Sequence, residues 1–314
     1  MIVAAGLGTR LRPLTELRPK PALPVRGIPL IAYQLALLAH HGVTETVINL
    51  HPLPEILIEA AERFAPPGMT LRYSREDELL DTGGGIRRVA PFLRESDPCL
   101  ILGADMLLDA DLGGLVERHR TRGDAITMLL RDDPRAAAFG SVGVDAEGAL
   151  RRIGSRFDLG GESACGVYTW VNVVSARALD TLPDCERFSH FDDWIAPRLA
   201  AGARDVRGEV ASPVASVWEP VGTLEEYLAA NLRPPSLSYF DPDAVARRAG
   251  AKFAPELVIG AGATIAAGAS LSRAVVWDGE SVSAVTNDSD GVFAGGRFIR
   301  CDGAMDVPSD ERTE

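Results

Sequence analysis

Short apolar segments alternate with helical ones through the first third of the chain, and few architectures accept that rhythm. Residues 1–5 read as a short buried strand running into the turn Gly6-Leu7-Gly8. Residues 29–41 carry helical apolar spacing, with Pro29 at the start and Gly42 just past the end. ETVINL (45–50) is a β-branched strand, PEILIEAAERF (54–64) a second helix, LRYS a strand, and a third helix runs from about Ile86 to Leu93. PCLILGAD follows, nearly all apolar before one acid, which predicts a central strand with Asp105 at its carboxyl end. Strands separated by single helices form a mostly parallel sheet with helices on both faces. Ligands of such sheets bind at the carboxyl ends of the strands.

Beyond residue 140 the strands shorten to GSVGVD, LRRIGS and YTWVNVVS, and helical stretches at 191–202 and 224–232 close a first domain spanning 1–232. Residues 233–256 read as a linker carrying a short helix. Ile259, Ile265 and Leu271 then recur at six-residue intervals with glycine or alanine between them, and Val276 and Val282 continue after a one-residue shift. That period resembles a short left-handed parallel β-helix over 257–300. So few repeats must lean on the large domain or on a second subunit, which makes a homo-oligomer through the β-helix an expectation. Residues 301–314 read as a frayed tail.

Composition narrows the partners. With 46% hydrophobic and 24% charged residues in 314, the chain buries a real core. A net charge of −12 argues against nucleic acid or an anionic membrane surface as partner, though not against a small anion bound at a local positive site. No segment is long and apolar enough to span a bilayer and no leader is evident, so a cytoplasmic protein is expected. The cysteines (Cys99, Cys165, Cys185, Cys301) are scattered, without zinc or disulfide spacing. Lysine occurs only at Lys20 and Lys252, arginine taking every other basic position. A lysine retained in such a chain suggests a place for a compact, strongly hydrated charge.

The first glycine turn fails two familiar patterns. Leu11 stands where a dinucleotide fingerprint needs its third glycine, and Pro19 precedes Lys20 where a P-loop needs glycine. What remains is a strand, a turn exposing backbone amides, two cations (Arg10 and Lys20), and Pro13, Pro19, Pro21 and Pro24 stiffening the segment. Exposed amides of this kind make an anion-binding nest.

The run AGLGTRLRPLTELRPKPALPV (5–25) resembles the signature of the sugar-phosphate nucleotidyltransferases, G-x-G-T-R-L-x-P-L-T followed by P-K-P. The similarity continues through PLIAYQLALLAHHG, VINLHPLPE, DTGGGI, LILGADMLLDADL and GTLEEYLAAN, covering roughly residues 1–232, and the hexads resemble the β-helical tail that many members carry. The TGGG form is most like the branch holding N-acetylmuramate-1-phosphate uridylyltransferases and some mannose-1-phosphate guanylyltransferases, whose products feed cell-envelope polysaccharides.

The resemblance implies a Rossmann-like sheet of GT-A type and in-line attack by a sugar-1-phosphate on the α-phosphate of a nucleoside triphosphate, with pyrophosphate leaving. It implies roles for residues of this chain. Ala5, Gly6, Gly8 and Thr9 would bring backbone to the triphosphate, Arg10 would hold the β- and γ-phosphates, and Lys20 would bridge the α-phosphate and the sugar phosphate. Asp105 would hold Mg²⁺. Taken alone, an aspartate after an apolar strand is a turn acid or helix cap more often than a ligand. Thr82 and Gly83, opening a helix, would present amides to base and ribose. Glu76 stands where relatives place Glu or Gln near the base; a carboxylate there slightly favours GTP and the TGGG form slightly favours UTP, so the base stays open. Glu162 and Asn172 lie where relatives bind sugar hydroxyls.

Two departures stand out. Relatives often meet the sugar phosphate with a lysine, and this chain has none between 21 and 251, leaving an arginine such as Arg152 or Arg156. Relatives also end the domain with W-x-D-[IV]-G-T, whose aspartate is a second Mg²⁺ ligand; here the run is Trp218-Glu219-Pro220-Val221-Gly222-Thr223. Glu219 is the neighbouring substitute, but alternation along a strand turns it away unless a bulge intervenes. These departures keep a second expectation open, a regulatory protein that binds nucleotide sugars without turning them over. An acyltransferase reading of the hexads is set aside, because every histidine lies at or before His190.

Overall fold

The architecture is known from a computed structural model, which describes residues 1–301. Apart from Cys301, the tail expected at 301–314 lies outside the described residues.

The large sheet has ten strands. In chain order those that build the site are β1 (Ile2–Val3), β2 (Glu45–Leu50), β3 (Thr70–Arg75), β4 (Cys99–Gly103), β5 (Met106–Asp109), β6 (Ile126–Arg131), β7 (Ala164–Val174), β8 (Val206–Ala211) and β9 (Val217–Pro220). β1 lies between β2 and β4, parallel to both, and β3 is parallel to β2 on the outer side. Past β4 come β7, antiparallel to it, then β6 and β8. β5 and β9 leave this sheet and pair with each other as an antiparallel ribbon. β4 is therefore interior, as its apolar run predicts. Three short strands (Val142–Val144, Leu150–Ile153, Phe157–Asp158) extend the sheet from the first half of β7.

Helices α1 (Leu30–His40), α2 (Pro54–Arg63) and α4 (Leu112–Arg122) cover one face, burying Ile31, Leu35, Leu57 and Leu115 against Ile48 and Leu102. The other face is covered by α3 (Asp81–Leu93) and the helical turns near 176–200, through Ile86, Val89, Leu93, Trp194 and Leu199. Predicted and observed bounds agree to a residue or two, except that α3 begins five residues before Ile86, at Asp81, and β7 four residues before Tyr168, at Ala164.

The β-helix forms, with one deviation from the hexad rule. Leu257–Ile259, Ser270–Val276 and Asn287–Ala294 stack in parallel, with Val258 beside Val275 and Val275 beside Val292, a step of 17 residues rather than three full hexads. The one-residue shift visible in the sequence is that missing residue. It falls at a corner where Glu256, Arg273 and Asp290 each adopt a left-handed backbone (φ 57°, 46° and 58°). Stacking puts the three side chains in a ladder: Arg273 donates to Asp290 at 2.6 Å and to Glu256 at 3.0 Å. Antiparallel strands Lys252–Ala254 and Arg297–Arg300 cover the two edges, blunting them as templates for pairing.

The apolar side of the β-helix has its partner within the chain. Val258, Val275, Trp277, Val292 and Ile299 share one core with Leu11, Leu14, Leu23 and Val25 of the signature segment and with Leu224, Tyr227 and Leu228 of α5 (Leu224–Leu232). The repeat thus forms the floor under the segment that carries Arg10 and Lys20. Removing residues 257–314 uncovers Leu11, Leu14, Leu23 and Val25 together. At roughly 1.5–3 kcal/mol per buried side chain, truncation should lower unfolding free energy by more than about 5 kcal/mol, and the shortened protein should bind a hydrophobic dye. Denaturant titration of both forms checks this; unchanged stability would make the β-helix an appendage.

Candidate active site

The turn after β1 closes with Leu11 N–H on the Gly8 carbonyl (3.0 Å) and Arg12 N–H on the Thr9 carbonyl (3.2 Å), so its own bonds do not use the amides preceding Leu11. Gly8 is left-handed (φ 62°), and a Cβ there would sit 2.9 Å from Thr15 Cγ2 and 3.2 Å from Lys20 Cβ. Both the conformation and the space demand glycine. Thr15 fastens the turn from behind, its hydroxyl donating to the Gly8 carbonyl at 3.0 Å. The segment returns through a tight turn at Lys20–Ala22 and brings Lys20 to the end of β4, where Nζ donates to Asp105 Oδ2 at 2.8 Å. The lysine side chain is 12% exposed and the aspartate 39%.

These pieces wall a cavity of about 450 Å³ at the carboxyl ends of β1, β2 and β4. Ala5, Gly6, Gly8, Thr9, Arg10, Lys20, Glu76, Thr82 and Asp105 all line it, so nine of the thirteen expected site residues converge there. Glu76 is buried. Its Oε1 accepts from Asn49 Nδ2 (2.8 Å) and its Oε2 from the Leu80 amide (3.2 Å), while Asn49 Oδ1 accepts from the Ala4 amide (2.7 Å). One chain of hydrogen bonds thus ties β1 to β2 and to the loop that enters α3.

The other four do not line this cavity. Gly83 presents no amide to a ligand, because its N–H donates to the Phe188 carbonyl at 3.0 Å. The glycines of the TGGG run serve close approach instead. A Cβ on Gly83 would lie 2.3 Å from the Phe188 ring, one on Gly84 2.2 Å from the Glu186 carbonyl oxygen, and one on Gly85 3.0 Å from Glu76 Oε1. Glu219 stays away from Asp105. β9 runs without a bulge, and Glu219 Oε2 accepts from Arg135 Nη1 at 2.8 Å. Arg135 is committed again to Asp133, whose carboxyl that hydrogen bond holds down at about 2. Glu162 is taken by Arg152 at 2.7 Å. Asn172 is buried on β7, donating to the Tyr168 hydroxyl at 2.6 Å.

A second cavity of about 710 Å³ adjoins the first, sharing Asp81, Thr82 and Trp170 with it. Its walls include Phe139, Tyr168, Trp170, Phe191 and Trp218, with Ser141, Ser155 and Ser189 between them. Arg156 lines it, paired with Asp192 at 3.0 Å, whereas Arg152 is turned to Glu162 and to the Ser141 hydroxyl; of the two arginines, Arg156 is the one at a cavity. Sequence reasoning missed these rings because their placement is tertiary. A register shift in β7 between Tyr168 and Val171 leaves Trp170 left-handed (φ 62°) and turns it into the shared wall. A π-helical turn, His190–Ile195, carries His190 and Asp192 to the same cavity.

Among the described residues no group of three His, Cys, Asp or Glu side chains is placed to hold a metal. Asp105, in the first cavity, is a hard oxygen ligand suited to a cation that completes its shell with water and phosphate oxygens. No helix of the described residues is long and apolar enough to cross a membrane.

His190 supplies a pH test. Burial lowers its pKa from 6.5 to about 4. Between those values the unfolded chain binds a proton that the folded chain refuses, so stability falls as pH drops from about 6.5 to about 4, by up to roughly 3 kcal/mol. Denaturant titrations of the wild type and His190→Phe at pH 7.5 and pH 4.5 should show a smaller loss in the variant. An equal loss in both proteins refutes the assignment.

With this geometry in hand, similarity to known proteins is informative. Residues 1–235 match the nucleotidyl transferase family. The chain is 31% identical over 300 residues to a mannose-1-phosphate guanylyltransferase of Mycobacterium tuberculosis, covering 90% of this chain and 81% of that one. It is 27% identical over 216 residues to a UTP–glucose-1-phosphate uridylyltransferase of Synechocystis, covering 63% and 54%. The fold resembles the crystal structure of HddC from Yersinia pseudotuberculosis, with TM-score 0.59 and 20% identity over 73% of this chain and 96% of that one. The chain therefore belongs to the nucleotidyl transferase family, as a sugar-phosphate nucleotidyltransferase.

Proposed function

We propose that this enzyme transfers the nucleotidyl group of GTP to a sugar-1-phosphate, giving a GDP-sugar and pyrophosphate. The observation that carries the reading is the meeting of Lys20 and Asp105 at 2.8 Å on the rim of the glycine turn. Phosphoryl chemistry of this type needs positioning and charge stabilisation rather than a covalent intermediate. The turn amides and Arg10 receive the triphosphate. Lys20 then leaves Asp105 and stands between the α-phosphate and the incoming sugar phosphate, neutralising charge as the new bond forms. Asp105 would be the residue to hold Mg²⁺, which when bound would supply neutralisation of the phosphate charge.

GTP is favoured by the guanylyltransferase relative and by Glu76. Each Glu76 oxygen accepts one protein hydrogen bond and keeps capacity for another, which suits the two N–H groups on guanine's edge. The sugar occupies the second cavity, its apolar face against Trp170 and Phe191, with Arg156 as the available cation. Incubating the protein with Mg²⁺, each of four nucleoside triphosphates and a panel of sugar-1-phosphates, and measuring pyrophosphate, tests the whole reading. Turnover with UTP alone overturns the base; no turnover with any pair overturns catalysis.

Lys20→Met should lower turnover by about 10²–10³, the effect of one lost preorganised charge, while triphosphate affinity falls far less. The same variant should bind Mn²⁺ more tightly in the absence of nucleotide, because the ammonium no longer competes for Asp105. Steady-state kinetics and a metal titration read the two effects separately, and unchanged turnover would sink the role of Lys20.

Pro220 favours the regulatory alternative. It lies beside Asp105, since it pairs with Met106 in the β5–β9 ribbon and the next residue, Val221, donates its amide to the Asp105 carbonyl at 2.9 Å. Trp218, two residues earlier on the strand, lines the second cavity, so position 220 shares the cavity-facing side. Pro220→Asp should lower the Mg²⁺ concentration for half-maximal rate by about tenfold. A silent wild type with an active Pro220→Asp variant would establish the regulator instead.

A further inference from the structure

We infer that the β-helix is a positioning element of the reaction: Arg18, Trp277 and Asp278 clamp the segment that carries Lys20 and set its geometry from outside the cavity. The inference rests on the catalytic reading of Lys20. Arg18 precedes Lys20 by two residues and points the other way, into the β-helix. Its two terminal nitrogens donate to the two oxygens of Asp278 at 3.0 and 3.2 Å, and its guanidinium carbon lies 4.7 Å from the centre of the Trp277 ring. Trp277 is buried, and its ring N–H donates to the Tyr227 hydroxyl at 2.9 Å, which in turn donates to the Pro24 carbonyl at 2.6 Å. One tryptophan of the β-helix is therefore linked to both ends of the segment 18–24, to Arg18 directly and to Pro24 through Tyr227, with Lys20 between them.

A third contact lies just upstream. Leu17 packs so close to Gly295 that a Cβ on that glycine would sit 3.0 Å from it. Gly295 and Gly296 are themselves fixed by amide donation to Glu280, at 2.7 and 3.0 Å. The first two contacts share Trp277, the third uses other residues, and all converge on the same stretch of backbone.

Exposure decides what the clamp is for. The Arg18 side chain is 29% exposed and that of Asp278 48%, and an ion pair so open to water contributes little to stability. A planar fork bonded at two points and stacked on an indole does fix direction, which a lysine in its place does not. Direction is what the site needs. Lys20 must move its ammonium from Asp105 to the phosphates while its backbone stays in place, and a shift of about 1 Å in a reacting charge costs on the order of 10²-fold in rate.

The test uses the full chain. Asp278→Asn and Arg18→Lys should each lower kcat by about 10-fold, with KM for both substrates changed by less than about 2-fold. Their melting temperatures should stay within about 2 °C of wild type. Asp278→Glu should recover part of the rate. Asp288→Asn, which removes a comparably exposed β-helix pair with Arg300, should leave kcat unchanged. Amide hydrogen exchange across residues 14–22 should quicken in Asp278→Asn, a readout that needs no turnover. Normal kcat and normal exchange in both variants overturn the clamp, as does a rate loss that tracks the melting temperature or that Asp288→Asn shares. Quickened exchange in a protein whose wild type turns over nothing supports the clamp and overturns the catalytic reading.

Discussion

The candidate site is organised around an ion pair, Lys20 with Asp105, that the proposed reaction would have to open. Lys20 and Asp105 come from different parts of the chain, one from a proline-stiffened segment and one from the end of an interior strand, and they meet at 2.8 Å. Separately each is poorly placed. A lysine only 12% exposed has lost most of its water, and an aspartate at the mouth of an apolar strand faces an acidic molecule. Paired, they neutralise each other at small cost. On the proposed function, triphosphate and cation would each offer one partner a stronger counter-charge, which would draw the two charges apart.

That arrangement explains why so much packing surrounds so few functional atoms. Gly8 brings the turn within van der Waals contact of Lys20 Cβ, and Thr15 locks the turn from behind. Asn49, Glu76 and the Leu80 amide tie β1, β2 and the entry to α3 into one polar network. The TGGG glycines let the 186–188 strand of chain cross α3 at distances no side chain allows, and the Phe188 carbonyl caps an amide that would otherwise be open. The β-helix continues this logic underneath, since the core it shares with Leu11, Leu14 and Leu23 is the underside of the segment carrying Arg10 and Lys20.

What the amino-acid sequence disclosed and what it withheld divide along a physical line. Periodicity and caps place α1, β2, α2 and β4 because those signals are local. The residues of the glycine turn converge because their chemistry and spacing lie within twenty positions of one another. Gly83 was misjudged because a glycine at a helix start looks the same whether it receives a ligand or a neighbouring carbonyl. Trp170 went unseen because a bulge in β7 depends on the register against β6, which no local pattern records. Glu162 and Asn172 were placed by a loose resemblance, and each proves to be satisfied by a neighbour on its own sheet, Arg152 or Tyr168. The β-helix was legible as a repeat, but its coil of 17 residues and its role as a floor follow from stacking and docking.

Pro220 and the missing lysine point the same way. A second carboxylate beside Asp105 would hold a cation before substrate arrived, and a second lysine would hold a sugar phosphate; this chain has neither among residues 21–251 at those places. Its one acidic neighbour, Glu219, is committed to Arg135, which is itself committed to Asp133. Recruiting Glu219 would therefore strand a half-buried guanidinium and a buried carboxylate, a cost of the kind that keeps such networks intact. On the proposed function the cation shell would be completed by the triphosphate, and the sugar would be gripped by Trp170 and Phe191 more than by charge. On the proposed function a binding order follows: nucleotide and cation would assemble first, because their arrival would free Lys20 to meet the second phosphate.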